Sequence, residues 1–258
     1  KMKRLIFVFI CLLFLSNHAF AGHPLITDDT DTQGRGSFQV EMGISHFYDK
    51  FKEDEQTTCK TKGGEAGLQL TIGLIDTVDI VAGLPYQWYD IKENNIRVAR
   101  ENGISDITLE LKWRFFEKNG WALALKPGII LPAGDETKDL GAGRVGGTFF
   151  LIGSKEIEPL TFHVNVGYTR NENKLDERLD LWHLSAAAEI EIIRNLKLMG
   201  DIGLARNPDP ESNNHPAFVL AGISYDLLES VTIDAGIKRG LTATEPDWTG
   251  LAGITVHF

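Results

Sequence analysis

Apolar residues recur at every second position through most of this chain. The clearest case is residues 107–115, where five apolar side chains alternate with four polar ones: Ile107, Leu109, Leu111, Trp113 and Phe115 against Thr108, Glu110, Lys112 and Arg114. Successive side chains of a strand point to opposite faces, so one face of this segment is apolar and the other is charged. The hydrophobic core of a soluble protein could cover the apolar face, but the charged face must remain in contact with water. The pattern predicts strands that separate an apolar medium from water.

Twelve segments have this period of two. They are residues 38–44, 66–72, 78–86, 107–115, 121–132, 145–151, 160–168, 182–192, 196–204, 217–225, 231–237 and 248–258. Bacterial single-chain outer-membrane barrels have an even number of antiparallel strands. We therefore predict an all-β fold for residues 37–258, a transmembrane antiparallel up-and-down β-barrel of 12 strands in the bacterial outer membrane.

The connections between these segments alternate strictly between long and short. The long ones are residues 51–62, 90–102, 135–144, 170–178, 207–215 and 241–247, and the short ones are 75–76, 117–120, 154–159, 194–195 and 227–230. Outer-membrane barrels have short periplasmic turns and longer external loops. The alternation predicts a first strand that rises from the periplasm, and it places Cys59 in the first external loop. In a soluble β-sandwich, the alternative fold, there is no reason for long connections to lie at one end and short connections at the other.

The N-terminal residues have the pattern of an export signal. Lys3 and Arg4 precede an apolar run over residues 5–15, and Ala19-Phe20-Ala21 follows. These are the three regions of a secretory signal peptide, predicted here for residues 1–21. Residues 22–36 have no regular period, and we predict that they form a periplasmic leader that packs into or across the barrel mouth as a plug.

The composition is acidic, with 26 Lys and Arg against 36 Asp and Glu and a net charge of −10. An acidic chain is a poor partner for nucleic acid, and the excess argues against an anion-selective pore. Only Cys59 remains once the signal segment is removed, so no internal disulfide is predicted. No residue spacing typical of a metal or cofactor site is present, and we predict neither.

The last segment ends on an aromatic residue, Phe258. This resembles the closing strand of bacterial outer-membrane barrels, whose terminal aromatic is recognised by the barrel assembly machinery. The predicted partners are therefore that machinery, through Phe258, and the lipid and lipopolysaccharide of the outer membrane.

Six stretches in a fixed order carry a more specific resemblance. They are Pro24–Asp29, Gly83–Tyr86, Gly103–Lys112, Lys126–Asp135, Leu140–Gly143 and Asp234–Leu241. Together they resemble the family of outer-membrane transporters named for the meta-cleavage pathway of phenol degradation. The resemblance covers most of the chain after residue 21 and implies a barrel that moves small organic molecules.

The polar side of the alternation supplies candidate pore-lining residues. About eight strands give a barrel that side chains fill, and sixteen to eighteen give an open channel, so 12 strands predict a narrow lumen. The candidates are Glu41, Asp79, Asp106, Glu110, Lys112, Arg114, Lys126, His163, Asn165, His183, Ser185, Asp201, Asp234 and Lys238. Their charges form either a structural ion-pair network or a selectivity filter.

Four of these residues raise the alternative of catalysis. If the loop over residues 170–178 closes its hairpin symmetrically, His163 lies opposite Ser185 and Asn165 opposite His183. A His-Ser-Asn set resembles nucleophilic hydrolases, including an outer-membrane phospholipase that is a 12-strand barrel, but that enzyme needs its triad on the lipid side.

The function predicted is a passive outer-membrane channel for small organic solutes, aromatic or hydrophobic, with no catalytic residue. The alternatives are a lipid or lipopolysaccharide hydrolase and a closed structural barrel that binds through its external loops.

Overall fold

The computed structural model describes residues 23–52 and 57–258, so the predicted signal peptide lies outside the described residues. The described residues form thirteen strands in one antiparallel sheet. Their bounds are β1 Phe38–Lys52, β2 Thr58–Ile75, β3 Val78–Glu93, β4 Ile96–Ile104, β5 Ile107–Lys118, β6 Trp121–Leu131, β7 Gly146–Ile157, β8 Leu160–Arg170, β9 Asp180–Ile193, β10 Leu196–Ala205, β11 Ala217–Leu228, β12 Val231–Gly240 and β13 Trp248–His257.

The sheet closes on itself as a 12-strand barrel, as predicted. Strands β4 and β5 share one position, because β5 pairs with the first part of β3 (residues 78–83) and β4 pairs with its second part (residues 86–93). Only Ser105 and Asp106 separate the two strands. The ring is completed where β1 pairs with β13, from Gln39 opposite His257 to Tyr48 opposite Trp248.

The aromatic rings of Phe38 and Phe258 stack beside this seam, with centroids 4.5 Å apart. The backbones of the two residues also exchange hydrogen bonds, of 3.2 Å and 2.9 Å. Their contact continues the pairing of β1 with β13 to the end of both strands.

Two predicted external loops are wrong in extent, since most of their residues belong to strands. Residues 90–102 continue β3 and β4 as a hairpin, and the turn is made by Asn94 and Asn95 with φ of 50° and 68°. Asparagine tolerates this left-handed conformation, which a two-residue hairpin turn requires. Likewise, β1 and β2 take up most of residues 51–62. Beyond the bilayer the outward side chains are polar, as at Lys60, Lys62 and Lys92, so the apolar outward alternation that predicts strands is lost there.

This extension moves Cys59 from the predicted loop into β2, where it is fully buried. It packs with Phe47, Tyr89 and Ile91 on the inner side of the strands, and Leu140 from the loop over residues 135–144 completes the cluster. A small hydrophobic core therefore lies inside the barrel above the membrane band.

The other predicted connections agree with the structure. Long segments join β6 to β7, β8 to β9, β10 to β11 and β12 to β13, whereas short turns lie at the opposite end of the barrel. Within residues 23–52 and 57–258, no helix is long and apolar enough to cross a bilayer.

The two faces of the barrel differ as the alternation predicts. The outer face carries exposed large apolar side chains, including Ile44, Leu68, Leu84, Leu109, Leu111, Phe149, Val164, Val166, Leu184, Ile202 and Ile223. Most side chains buried inside the barrel are polar or charged. An apolar outer band and a polar interior are typical of transmembrane barrels.

Neighbouring residues on β8 test this assignment of faces. Val164 is 47% exposed on the outer face, and His163 is 5% exposed on the inner face. We expect Val164→Arg to lower the free energy of unfolding in lipid vesicles by about 2–4 kcal/mol, because the charge enters hydrocarbon near the midplane. The matched His163→Arg variant should cost much less, because the new cation lies beside Glu189. Equal losses in the two variants would mean that the faces are assigned wrongly.

Candidate functional site

The leader, defined here as residues 23–36, lies inside the barrel and contacts inward-facing side chains of several strands. At one end it reaches Asp234 of β12, which is hydrogen-bonded to His23. At the other end the Gln33 amide donates to Asp79 of β3 over 3.0 Å. The leader thus joins two strands that lie four positions apart around the ring, β12 and β3.

Two inward side chains bind the leader through its backbone. One carboxylate, that of Asp201 on β10, accepts hydrogen bonds from the amides of Ile26 (2.7 Å) and Thr27 (2.8 Å) and from the Thr27 hydroxyl (2.6 Å). The Asn165 side chain on β8 accepts from the Asp28 amide over 2.7 Å and donates to the Asp28 carbonyl over 2.8 Å. Four of these five bonds satisfy backbone groups of the leader, which form no sheet hydrogen bonds.

Charged contacts hold the centre of the leader. The two oxygens of the Asp28 carboxylate bind different ammonium groups, Lys112 at 3.0 Å and Lys126 at 2.9 Å. Lys112 also lies 2.9 Å from Asp29, and Lys126 lies 3.0 Å from Glu110 on the wall. All five residues except Asp29 are nearly inaccessible to solvent. Buried charges persist only when they are paired and hydrogen-bonded in this way.

Glycines in the wall make room for the start of the leader. A Cβ atom at Gly222 would lie 2.5 Å from Cγ of Pro24, and one at Gly236 would lie 3.0 Å from Cβ of the same proline. At Gly253 it would lie 2.6 Å from Nδ1 of His23. The inner surface of β11, β12 and β13 therefore has a groove that larger residues would fill.

The leader divides the lumen into two cavities. The periplasmic cavity has a volume of about 530 Å³ and a mostly polar lining. The external cavity is much smaller, about 90 Å³, and mostly apolar, with Ile26, Phe150, Leu181 and Phe218 in its wall. Asp28 and Lys126 line both cavities, so their ion pair lies at the partition.

The external loops bind one another at the outer end of the barrel. The Arg178 guanidinium donates to four backbone carbonyls of the loop between β10 and β11: Asn207, Asp209, Pro210 and Ser212, at 2.7–3.0 Å. Asp106, at the break between β4 and β5, accepts from the amides of Gly134 and Ala142 and so holds both arms of a second loop. The Lys174 amide donates to the Ala142 carbonyl over 2.9 Å and joins the loops.

The structure places the fourteen sequence-predicted candidates on or beside the inner wall, but not in one site. Twelve are buried, and Arg114 and His183 are half-buried. Six contact the leader: Asp79, Lys112, Lys126, Asn165, Asp201 and Asp234. Others pair within the wall or with loops, as Glu41 does with Gln69 and Lys238 with Glu245.

The predicted pairing of β8 with β9 is wrong by two residues. His163 lies opposite Ala187, and Asn165 lies opposite Ser185. The reason is that Arg170 closes the hairpin with Asp180, two residues beyond the predicted partner Arg178. The expected pairing of His163 with Ser185 therefore does not form. The Ser185 hydroxyl instead lies 3.0 Å from Nε2 of His183 on the same strand, with Asn165 opposite Ser185 on β8.

A different group surrounds His163. Its Nδ1 lies 2.8 Å from the Ser154 hydroxyl and its Nε2 lies 3.3 Å from a Glu189 oxygen. The Thr30 amide of the leader donates to the same Ser154 hydroxyl over 3.2 Å. Ser154 was missed at the sequence level because residues 154–159 were predicted to be a short turn, whereas in the structure β7 continues to Ile157 and places Ser154 on its inner face. This Ser-His-Glu chain faces the leader and not the lipid.

No site for a metal ion was found in the described parts of the chain, since no three His, Cys, Asp or Glu residues converge there.

The closed 12-strand sheet, its apolar outer band and its polar interior define an outer-membrane β-barrel.

A family model described as "Putative MetA-pathway of phenol degradation" matches residues 21–258, and the chain belongs to this family. No curated protein sequence matches the chain.

Several solved structures share the fold at low sequence identity. An outer membrane channel from Pseudomonas putida F1 superposes with a TM-score of 0.67 at 12% identity, covering 89% of this chain and 98% of that one. The KdgM porin gives 0.58 at 6% identity, covering 85% and 99%. The translocator domain of the autotransporter NalP from Neisseria meningitidis gives 0.55 at 11% identity, covering 89% and 91%.

The loop over residues 171–178 should respond to pH through Glu177. Burial raises the pKa of this carboxyl from 4.5 to about 7, and nearby Asp139 and Asp209 add to the effect, although the Asn171 side chain opposes it. Because the packed loop holds the proton more tightly than the open loop, its packing is strongest below pH 4.5 and weakens as pH rises to about 7. Amide hydrogen exchange, corrected for its intrinsic rate, should show protection of this loop falling over that range.

The Glu177→Gln variant should lose most of this pH dependence because its side chain cannot titrate. Burial also raises the pKa of Asp139 to about 6, so the double variant with Asp139→Asn should lose the remainder. The same pH profile in all three proteins would assign the effect to another group.

Proposed function

We propose that this barrel is a passive outer-membrane channel for small organic solutes, and that it uses neither energy nor a cofactor. The observation that carries the proposal is the lumen itself, with one cavity on each side of the leader inside a closed barrel. A barrel filled by its own wall side chains would have no such spaces. The apolar lining of the external cavity favours solutes with an aromatic or other hydrophobic part.

The leader acts in this proposal as a plug that keeps the resting conductance low. It crosses the lumen between Asp234 and Asp79, and its Asp28 carboxylate separates the two cavities. Solute passage then requires at least a local displacement of the leader. Hydrogen bonds and ion pairs hold residues 27–33 of the leader, and such contacts can be exchanged for solute or water. The preceding residues Leu25 and Ile26 instead pack in an apolar cluster with Ala187, Met199, Phe218 and Leu220.

The comparisons support a channel without deciding it. The Pseudomonas putida protein is titled an outer membrane channel and KdgM a porin, yet a translocator domain of an autotransporter has the same fold. One fold carries several functions, so the contents of the lumen are the stronger argument.

Hydrolysis of lipid is disfavoured by the position of the Ser154–His163–Glu189 chain. These side chains lie on the lumen side, and the serine hydroxyl is already bound by the leader. An enzyme acting on outer-membrane lipid needs its nucleophile where the lipid can reach it.

Deletion of residues 24–33 tests the channel and the plug together. We expect purified, refolded barrel lacking these residues to conduct several-fold more current in planar bilayers than the intact barrel, because the partition of the lumen is removed. Heat-modifiable migration on a gel would verify that the variant is still a closed barrel. Unchanged conductance in such a barrel would reject the plug, and the absence of conductance from both proteins would favour a closed structural barrel that binds through its loops.

Single substitutions in the wall give a milder form of the same test. Gly222→Val should displace Pro24 and raise conductance, because its Cβ would lie 2.5 Å from the proline ring. The matched control is Gly250→Val on β13, where a Cβ meets no atom within 4 Å. Equal conductance of both variants and the unmodified barrel would contradict a role for the seated leader.

A further inference from the structure

We infer that Lys112 and Lys126 form a binding site for the carboxylate of a small organic anion, and that Asp28 of the leader occupies this site in the resting barrel. The inference rests on the proposed channel function, since it names the solute class and the residues that the solute would contact.

The geometry is that of a carboxylate receptor. One carboxylate, that of Asp28, bridges two ammonium groups that come from different strands, at 3.0 Å and 2.9 Å. Asn165 adds a neutral side chain that holds the same leader residue by its backbone. Hydrogen bonds between ionised partners are short and about twice as strong as neutral ones, so this pair of lysines is a strong anion site.

The charge of the wall indicates that the site needs an anion from elsewhere. In the described residues, both ion-pair partners of Lys112 belong to the leader, Asp28 and Asp29. Among the described wall residues, Glu110 is the one carboxylate that forms an ion pair with either lysine, at 3.0 Å from Lys126. When the leader carboxylates move away, two buried ammonium groups share one counter-charge, which is costly unless another anion enters.

The surroundings define the rest of the ligand. Lys126 and Asp28 form part of the wall of the external cavity. Most of its lining is apolar, with Phe150 and Phe218 among the residues, although Arg206, Lys238 and Glu245 also reach it. A ligand that fits both parts has one carboxylate and a small apolar body, for example a single ring. The two lysines make this site locally positive, whereas the net charge of the whole chain is negative and disfavours anions only at long range.

The ligand must exchange with Asp28 and cannot simply add to it. The external cavity is about 90 Å³, smaller than the apolar cavity of about 150 Å³ that is known to admit benzene in another protein. Removal of the Asp28 carboxylate from the lysines would supply both the charge and the additional space. A carboxylate solute would therefore weaken the central contact of the plug as it binds.

The Asp28→Asn variant tests this directly with benzoate and its neutral isostere benzamide. The substitution removes the competing charge but preserves the backbone bonds to Asn165 and the Asp201 contacts to Ile26 and Thr27. Isothermal titration calorimetry of the refolded full barrel in detergent should give benzoate at least about a tenfold lower Kd than benzamide in this variant, which corresponds to about 1.4 kcal/mol. The unmodified barrel should bind benzoate more weakly than the variant does.

Two further variants make the result specific. Adding Lys126→Gln to Asp28→Asn should abolish the preference for benzoate. The control Asp31→Asn removes the same charge from the leader, at a carboxylate that forms no ion pair in the described residues, and should not increase benzoate binding. The barrel lacking residues 24–33 should also prefer benzoate, which provides a second protein if Asp28→Asn assembles poorly.

The outcomes separate this inference from the channel proposal. Equal affinity of Asp28→Asn for benzoate and benzamide, or benzoate binding that persists after Lys126→Gln, would overturn the carboxylate site even if the leader deletion raises conductance. A benzoate preference that disappears with Lys126→Gln would establish the site even if no variant conducts.

Discussion

Closure of the sheet is the constraint on which the rest of this structure depends. In hydrocarbon every backbone N–H and C=O group must find a partner within the protein, and an antiparallel sheet achieves this only when its first and last strands meet. Here β1 and β13 pair from Gln39 to Tyr48, and the rings of Phe38 and Phe258 stack at the end of the seam. Closure also isolates an interior from lipid, and so permits charged side chains near the middle of the membrane.

The interior then has its own requirement, which is to fill space and balance charge. Twelve strands enclose more volume than their own side chains fill, and the leader occupies part of it. It also supplies carboxylates to two lysines whose one ion-pair partner among the described wall residues is Glu110. Electrostatically, the leader is therefore part of the barrel, and any solute that replaces it must satisfy Lys112 and Lys126 as well.

The part of the barrel beyond the membrane follows different physics. Water reaches the outer face of the strand extensions, so their stability comes from loop contacts and from a small core on the inner face around Phe47, Tyr89 and Leu140 rather than from an apolar outer band. Arg178 contributes most directly, because one guanidinium joins two loops through four carbonyl groups. A buried carboxyl beside it, Glu177, makes this packing sensitive to pH.

The sequence alone determined the fold class, the number of strand positions and the face of each strand residue, because a period of two is a local property of the backbone. It also indicated the inner position of Lys112, Lys126 and Asn165. Only the tertiary structure decided which of these meet: Asp28 lies 84 and 98 residues before its two lysines, and the alternation carries no information about register. For the same reason His163 lies opposite Ala187 and not Ser185. The face on which a side chain lies is set by its neighbours along the chain. The register between strands is set instead by loop closure and by the charges that must be neutralised inside the barrel.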